Sequence, residues 1–445
     1  MKTINASGKF AYAFGALGNN LIYGLVATFL VKFYTDYMLL PTLAITALFL
    51  IARIWDGIND PIMGYIVDNT KTRFGKFRPY LLFAPWFVGL FTVLCFVNPG
   101  FSTAGKIAWA YVTYILFGMS FTAMDIPYWA MTPALTQDIQ ERSGIVTFSR
   151  TIASVGYFIG MVVAYPILTN AFGGGNMGWT WTAVTFAAVG ILFTLIAFAN
   201  TKERFTVKSQ DKYTLKKMLN QFKINTPLLI LILALFFVEV ANAVKIIFPT
   251  YYFENNLNMG NMISIFLALY AVMLIIGSVS APFVMKRLGK RNTAIIGTAL
   301  MGGFSIAHYL VGYSSVTAIM VVNAFAAFGY GLGNIAMMSM LTDTVEYGQW
   351  KSGVRAEGMV FSTNILKTKI ATAIGGMIGT LGLAYYAYAP NTVLPKTTLE
   401  GLHTMIALIP GILALLGIIP LLKYKISEEM YQKILSELNP TGENA

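Results

Sequence analysis

Residues 42–67 read TLAITALFLIARIWDGINDPIMGYIV. Crossing the hydrocarbon core of a bilayer takes about 20 apolar residues in a helix, and this run is long enough. Only three charges interrupt it: Arg53, Asp56 and Asp60. Residues three and four apart share a helix face, so Arg53, Asp56, Asn59 and Asp60 form one polar stripe on an otherwise oily rod. A charge at mid-bilayer costs roughly 2.5–3.5 kcal/mol even on the lenient insertion scale and marks a functional site by default. The stretch therefore predicts a membrane-spanning helix whose polar stripe faces the inside of a bundle.

Eleven further apolar runs accompany it, near Phe10–Tyr34, Tyr80–Val97, Ile107–Leu135, Thr147–Ala171, Trp179–Ala199, Leu228–Phe253, Met262–Met285, Thr293–Tyr313, Val316–Leu341, Gly358–Tyr386 and Leu402–Leu422. The composition agrees. Of 445 residues, 56% are hydrophobic and only 11% charged, at a mean hydropathy of +0.65. A soluble domain carries about 25% charged residues, so an ordinary cytosolic enzyme, a disordered chain and a coiled coil are excluded. The runs are too long and continuous for the tilted strands of a barrel. Cys95 is a single thiol in an apolar run, and His308 and His403 have no ligand pattern around them; no zinc site is expected.

The net charge of +12 is explained by position. With the N-terminus placed in the cytoplasm, 24 of the 31 basic residues fall on the cytoplasmic side, and only Lys106 and Lys396 on the outer side. The positive-inside rule then gives cytoplasmic N- and C-termini and an even number of spans. A cytoplasmic (inner) bacterial membrane is the expected location, and no nucleic-acid partner is implied. The polar connector divides the chain into two halves: residues 1–199, connector 200–226, residues 227–423 and a cytoplasmic tail 424–445. Arg73-Phe74-Gly75-Lys76 after span 2 recurs as Arg287-Leu288-Gly289-Lys290 after span 8. The expected fold is an all-α membrane protein of twelve transmembrane helices. Two six-helix halves related by a repeat are the architecture of the major facilitator superfamily, whose substrate and ion sites lie near the midplane.

Charges within spans supply the candidate site. Two carboxylates one turn apart, Asp56 and Asp60, repel unless a cation, a proton or Arg53 shares their charge, and carboxylate and amide oxygens suit a small hard cation. A structural Arg53–Asp pair accounts for one acid and leaves the other. In span 4, Thr122 and Asp125 are i, i+3, and Asp125 and Trp129 are i, i+4. A carboxylate beside an aromatic plate suits a sugar, the acid taking hydroxyls and the ring taking the apolar face; a Trp at headgroup depth is the alternative for Trp129. Lys245 and Lys369 are expected to face the cavity and an acid each. Glu239, Asn242 and Lys245 read as an ion pair along one face of span 7, bridged by Asn242. Lys32 and Lys367 lie nearer span ends, where they can snorkel to the interface.

Several motifs, in order and on the matching spans, resemble the glycoside–pentoside–hexuronide:cation symporter family, which includes the melibiose carrier. They are Phe33-Tyr34-Thr35-Asp36; Ala52 to Asp56 continuing through Ile58-Asn59-Asp60-Pro61; Arg73 to Pro79; Asp125-Ile126-Pro127; and Asp343 to Gly348 with Gly353 to Gly358. The resemblance covers nearly the whole chain. It implies an Na⁺, Li⁺ or H⁺ site at Asp56, Asn59, Asp60 and Thr122, with Asp56 and Asp60 as the metal ligands if sodium couples. It further implies sugar contacts at Asp125, Trp129 and Arg150 and a linking lysine at Lys369. The departures are Asn20 in place of a sugar-binding Asp, Asn19 in place of a Lys, and Phe121 in place of a Tyr. A neutral galactoside loses a charge-assisted acceptor at Asn20. Glucuronide carriers share that Asn but lack the acid of Asp125, so neutral glycosides or pentosides and anionic sugars both stay open. With the chain ending at Ala445, the regulatory domain appended to some lactose and raffinose carriers is not expected.

The expected function is cation-coupled sugar symport by alternating access, as a monomer in the lipid bilayer, with no cofactor besides the coupling ion. The expected gate sets the basic groups Arg73, Lys76, Arg78, Arg287, Lys290 and Arg355 against the acids Asp138, Glu141, Asp343 and Glu346. A lysolipid carrier on the same scaffold is a more remote reading. No Ser–His, Cys–His or metal constellation supports an enzyme.

Overall fold

The computed structural model describes residues 5–136, 138–165, 169–205, 225–353 and 357–438. Among the described residues, twelve long helical segments carry the fold. In chain order they are α1 (Ala6–Lys32), α2 (Thr42–Asn69), α3 (Arg78–Cys95), α4 (Thr103–Ala130), α5 (Ile139–Val163), α6 (Gly175–Asn200), α7 (Thr226–Ile247), α8 (Ile263–Leu288), α9 (Lys290–Val311), α10 (Val316–Ser352) and α11 (Glu357–Tyr385). The last, α12, is the span Lys396–Leu422. Eleven of these spans are long and apolar enough to cross a membrane. The other, α11, is 29 residues long and carries Lys367 and Lys369. A short helix α13 (Glu428–Leu438) follows α12.

Helix starts are capped as their sequences require. Asn5, Ser102, Asp138, Asn225 and Ser315 each accept a hydrogen bond from a backbone N–H three residues on, meeting donors that have no partner within the helix. Pro61, Pro85, Pro127 and Pro282 lie inside helices, a placement that membrane helices tolerate. On α2, Ile54, Ile58, Ile62 and Ile66 are exposed at one-turn intervals. They form the apolar outer face opposite the Arg53–Asp60 stripe.

The chain divides into two compact units. Unit 1 is Met1–Gln210 with Met259–Ile265 and Ala389–Val393; unit 2 is Asp211–Asn258, Phe266–Tyr388 and Leu394–Ala445. In unit 1, α1 packs on α5 and α6, α3 on α4 and α6, and α2 on α4. In unit 2, α9 packs on α10 and α12, and α7 on α11 and α12. Glycines let the closest pairs touch backbone to backbone. A Cβ at Gly24 of α1 would collide with the Tyr157 carbonyl of α5, and Cβ atoms at Gly156 and Gly160 with the Leu17 and Leu21 carbonyls of α1. By contrast, Gly57 and Gly64 on α2 have nothing within 4 Å. Each unit has its own apolar core, one around Tyr12, Leu81 and Tyr128, the other around Leu231, Met337 and Met340.

The repeat reaches the backbone. A wide π-helical turn, Phe33–Tyr37, ends span 1, and another, Tyr252–Asn256, ends span 7. Each is followed by a non-glycine residue at positive φ, Leu39 at 57° and Asn258 at 53°. Gly75 and Gly289, in the two recurrent loops, also have positive φ, 112° and 79°.

Candidate functional site

In unit 1 the acids of α2 face α4. Arg53 Nη1 donates to Asp56 Oδ2 at 3.0 Å. The other Asp56 oxygen lies over Gly118 of α4, 3.5 Å from where a Cβ would stand. Thr122 Oγ1 donates to Asp60 Oδ1 at 3.2 Å. Asn59 is buried, and its amide nitrogen has no hydrogen-bond partner among the described residues. Of the predicted cation set, Asp60 and Thr122 meet across α2 and α4, and Asp56 faces α4 at Gly118. Its chemistry is two carboxylates, an amide and a hydroxyl, an oxygen-rich donor set of the kind hard cations take.

One turn along α4 from Thr122, Asp125 accepts from Trp129 Nε1 at 3.0 Å. The Arg150 guanidinium, from α5, stands 4.7 Å from the centre of the Trp129 ring. The three residues predicted to touch sugar converge. One face of the Trp129 plate is therefore covered by a cation, and the indole N–H is spent on the carboxylate. Stacked Tyr12 and Tyr128 brace this group, with ring centres 4.4 Å apart; each phenol donates to the other residue's carbonyl. The Asn20 amide donates to Ala16 O of its own helix at 3.0 Å. Asn19 points elsewhere, accepting from Thr194 of α6 at 3.0 Å. Phe121 belongs to an aromatic cluster that the sequence did not disclose: Tyr23 lies 5.4 Å from it and 6.2 Å from Tyr157.

Unit 2 corrects several expectations. Glu239 pairs with Lys367 of α11, not with Lys245, and accepts from Thr368 Oγ1 at 3.2 Å. Residues six apart on a helix are rotated about 120° from each other, so Glu239 and Lys245 never shared a face. Asn242 bridges nothing between them; its carbonyl accepts from Tyr270 OH at 2.6 Å. Lys245 is buried and donates to Ser305 Oγ at 3.0 Å, and no carboxylate among the described residues reaches it. Lys367 does not snorkel: its side chain is 5% exposed. Nor does Lys32, which is buried in unit 1 and pairs with Asp36 one turn on at 2.5 Å. Lys369 is half-buried on α11.

Of the pairings expected between the basic loops and the acids, the structure shows one. Lys290 grips both oxygens of Asp343, at 2.7 and 2.9 Å, and Glu346 stands three residues on along α10. Lys76, however, pairs with Asp68 at 3.0 Å. Asp138 and Glu141 find partners elsewhere among the described residues. Asp138 caps α5 by accepting from Glu141 N at 2.8 Å, and Glu141 pairs with Lys9 at 2.9 Å. Arg73 lies over Phe74, 4.7 Å from its ring centre. Arg287 is exposed and makes no ion pair among the described residues. Arg355 lies outside the described residues. The partner of the Arg73–Arg78 loop is Glu203, which sequence reasoning missed. Its carboxylate accepts from the backbone N–H of Lys76, Phe77 and Arg78 at 2.8, 2.6 and 2.9 Å, and Arg78 donates to Phe198 O at 3.0 Å. Some 125 residues separate Arg78 from Glu203, and no local pattern signals such a contact.

Among the described residues no three His, Cys, Asp or Glu side chains cluster as a metal centre. Known proteins resemble the chain over its length. It is 35% identical to the isoprimeverose transporter of Lactiplantibacillus pentosus, across 97% of this chain and 91% of that one. It is 30% identical to the glucuronide carrier protein homolog of Escherichia coli (strain K12), across 96% and 94%. The solved structure of the nucleoside transporter NupG superposes with a TM-score of 0.66 at 14% identity, over 94% of this chain and 100% of that one. Residues 11–428 match the family described as MFS/sugar transport protein. The chain belongs to that family: it is a twelve-helix membrane transporter of the major facilitator superfamily and not an enzyme.

Proposed function

We propose that the protein imports a sugar or glycoside by cation-coupled symport and alternating access, with its N- and C-termini in the cytoplasm. The carrying observation is the Thr122–Asp60 hydrogen bond. It ties the acid stripe of α2 to the helix that presents Asp125 and Trp129. A Na⁺ or H⁺ taken up at Asp56 and Asp60 relieves the repulsion between the two carboxylates. That lets α2 settle against α4 and sets Asp125, Trp129 and Arg150 for the sugar. Occupation of either site then favours the other, since such coupling is reciprocal. The relative that carries isoprimeverose supports a neutral pentoside or glycoside. A second reading, an anionic sugar, is favoured by the Arg150 guanidinium beside Trp129 and by likeness to the glucuronide carrier. Unit 2's sealed Lys245 is not assigned to the sugar.

The experiment is uptake of radiolabelled isoprimeverose and of a glucuronide into vesicles, with an imposed Na⁺ or H⁺ gradient. Accumulation of one sugar that follows one gradient identifies both ligands. If neither gradient drives either sugar, and thermal unfolding of the purified protein responds to neither, the reading fails.

A further inference from the structure

Three rings of unit 1 adjoin the Asp125–Trp129–Arg150 group without belonging to it: Tyr23 of α1, Phe121 of α4 and Tyr157 of α5. Tyr23 lies between the other two. Its ring centre is 5.4 Å from that of Phe121 and 6.2 Å from that of Tyr157, with the planes tilted by 32° and 40°. Backbone contact fixes the two tyrosines relative to each other. Gly24, next to Tyr23, seats the Tyr157 carbonyl, and a Cβ there would stand 2.3 Å from that oxygen.

The pattern of exposure ties these rings to the proposed sugar site. From Gly15 to Lys32, α1 is buried except at Leu17, Asn20, Tyr23 and Ala27, a spacing that keeps to one face. Tyr23 therefore shares the open stripe of α1 with Asn20. On α4, Phe121, Asp125 and Trp129 recur at i, i+4 and i+8, and all three are partly exposed. On α5, Arg150, Ser154 and Tyr157 recur at i, i+4 and i+7 and are likewise accessible. Each ring thus continues a stripe that carries a residue of the proposed sugar site. A stripe containing Asp125 does not face lipid, because ionisable groups within spans turn toward protein or a water-filled space. Along α4, Phe121 is displaced from Asp125 by about 6 Å, four residues at 1.5 Å each.

We propose that Tyr23, Phe121 and Tyr157 form a subsite for a second ring of the substrate, beyond the ring held at Asp125, Trp129 and Arg150. The inference rests on the sugar reading of that group. The three side chains carry no charge, so the second ring is neutral and presents C–H surface to the aromatics. Aromatic walls with a few placed polar groups are the usual lining of a small-molecule site, and the two phenols add hydroxyls that donate or accept. The substrate is then a two-ring glycoside, and a single sugar fills only part of the site.

The test measures binding to the full-length protein in detergent by isothermal titration, with two ligand pairs. One is isoprimeverose, a xylose–glucose disaccharide, against methyl xyloside; the other is phenyl glucuronide against methyl glucuronide. The wild type should bind the two-ring member of one pair about tenfold tighter than its single-ring partner. Phe121→Leu and Tyr157→Leu, which keep apolar bulk but remove a ring, should collapse that preference. Phe121→Tyr and Tyr157→Phe, which keep the ring, should preserve it, and thermal unfolding reports whether each variant is folded. A wild-type ratio near one overturns the subsite and leaves the sugar reading in place. So does a loss in the folded Leu variants that falls equally on both members of the pair. If the wild type binds neither pair, the sugar reading fails and the subsite falls with it.

Discussion

The two units hold their in-span charges differently. In unit 1, Asp56 is held by Arg53, Asp60 accepts from the Thr122 hydroxyl and Asp125 from the Trp129 indole. In unit 2, Lys367 is consumed by Glu239 and Lys245 is sealed against a hydroxyl. The first arrangement suits an exchangeable ligand. The second suits permanence, because a buried pair is retained at the expense of both partners' hydration. Placing charge inside a span therefore does not mark a transport role by itself; what matters is whether the charge is already spent.

Substitution separates the two arrangements. Asp60→Asn should reduce gradient-driven accumulation at least tenfold while the protein stays folded, as read by vesicle uptake beside thermal unfolding. Accumulation that survives Asp60→Asn would erase the functional contrast. Lys367→Met should lower stability by about 3 kcal/mol, since it strands Glu239, and the double change Lys367→Met/Glu239→Gln should restore most of it; denaturant unfolding in detergent reads both. Gly75→Ala should cost about 1–3 kcal/mol, because it adds backbone strain and drives a methyl into Glu203. Gly289→Ala should cost less, strain alone, because a Cβ there meets nothing within 4 Å. Lys245→Met should change stability by no more than about 1 kcal/mol, and in the stabilising direction, because it removes a desolvated ammonium with no carboxylate among the described residues.

The spans and their number were readable because twenty apolar residues have few alternatives. So was the i, i+3, i+4 stripe of α2, where geometry along one helix is fixed by 3.6 residues per turn. The convergence of Arg150 with Trp129 came from family resemblance, not spacing, since the two lie on different helices. Glu239–Lys367 and the Glu203 cradle were illegible for the same reason: partners on separate helices are chosen by packing. The expected bridge from Glu239 to Lys245 failed on rotation about the helix axis. The paired π-helical turns left no mark, because Phe33–Tyr37 and Tyr252–Asn256 share shape more than residues.

The glycine contacts between α1 and α5 have a consequence for substrate choice. With carbonyls of one helix seated against Cα atoms of the other at Gly24, Gly156 and Gly160, no side chain remains to act as a bearing. Asn20 and Arg150 then ride on a single welded beam, and the gap between them is a fixed gauge. α2, where a Cβ at Gly57 or Gly64 would meet nothing within 4 Å, has no such seam at these positions and packs on α4. Under the proposed function, the sugar is sized by that gauge.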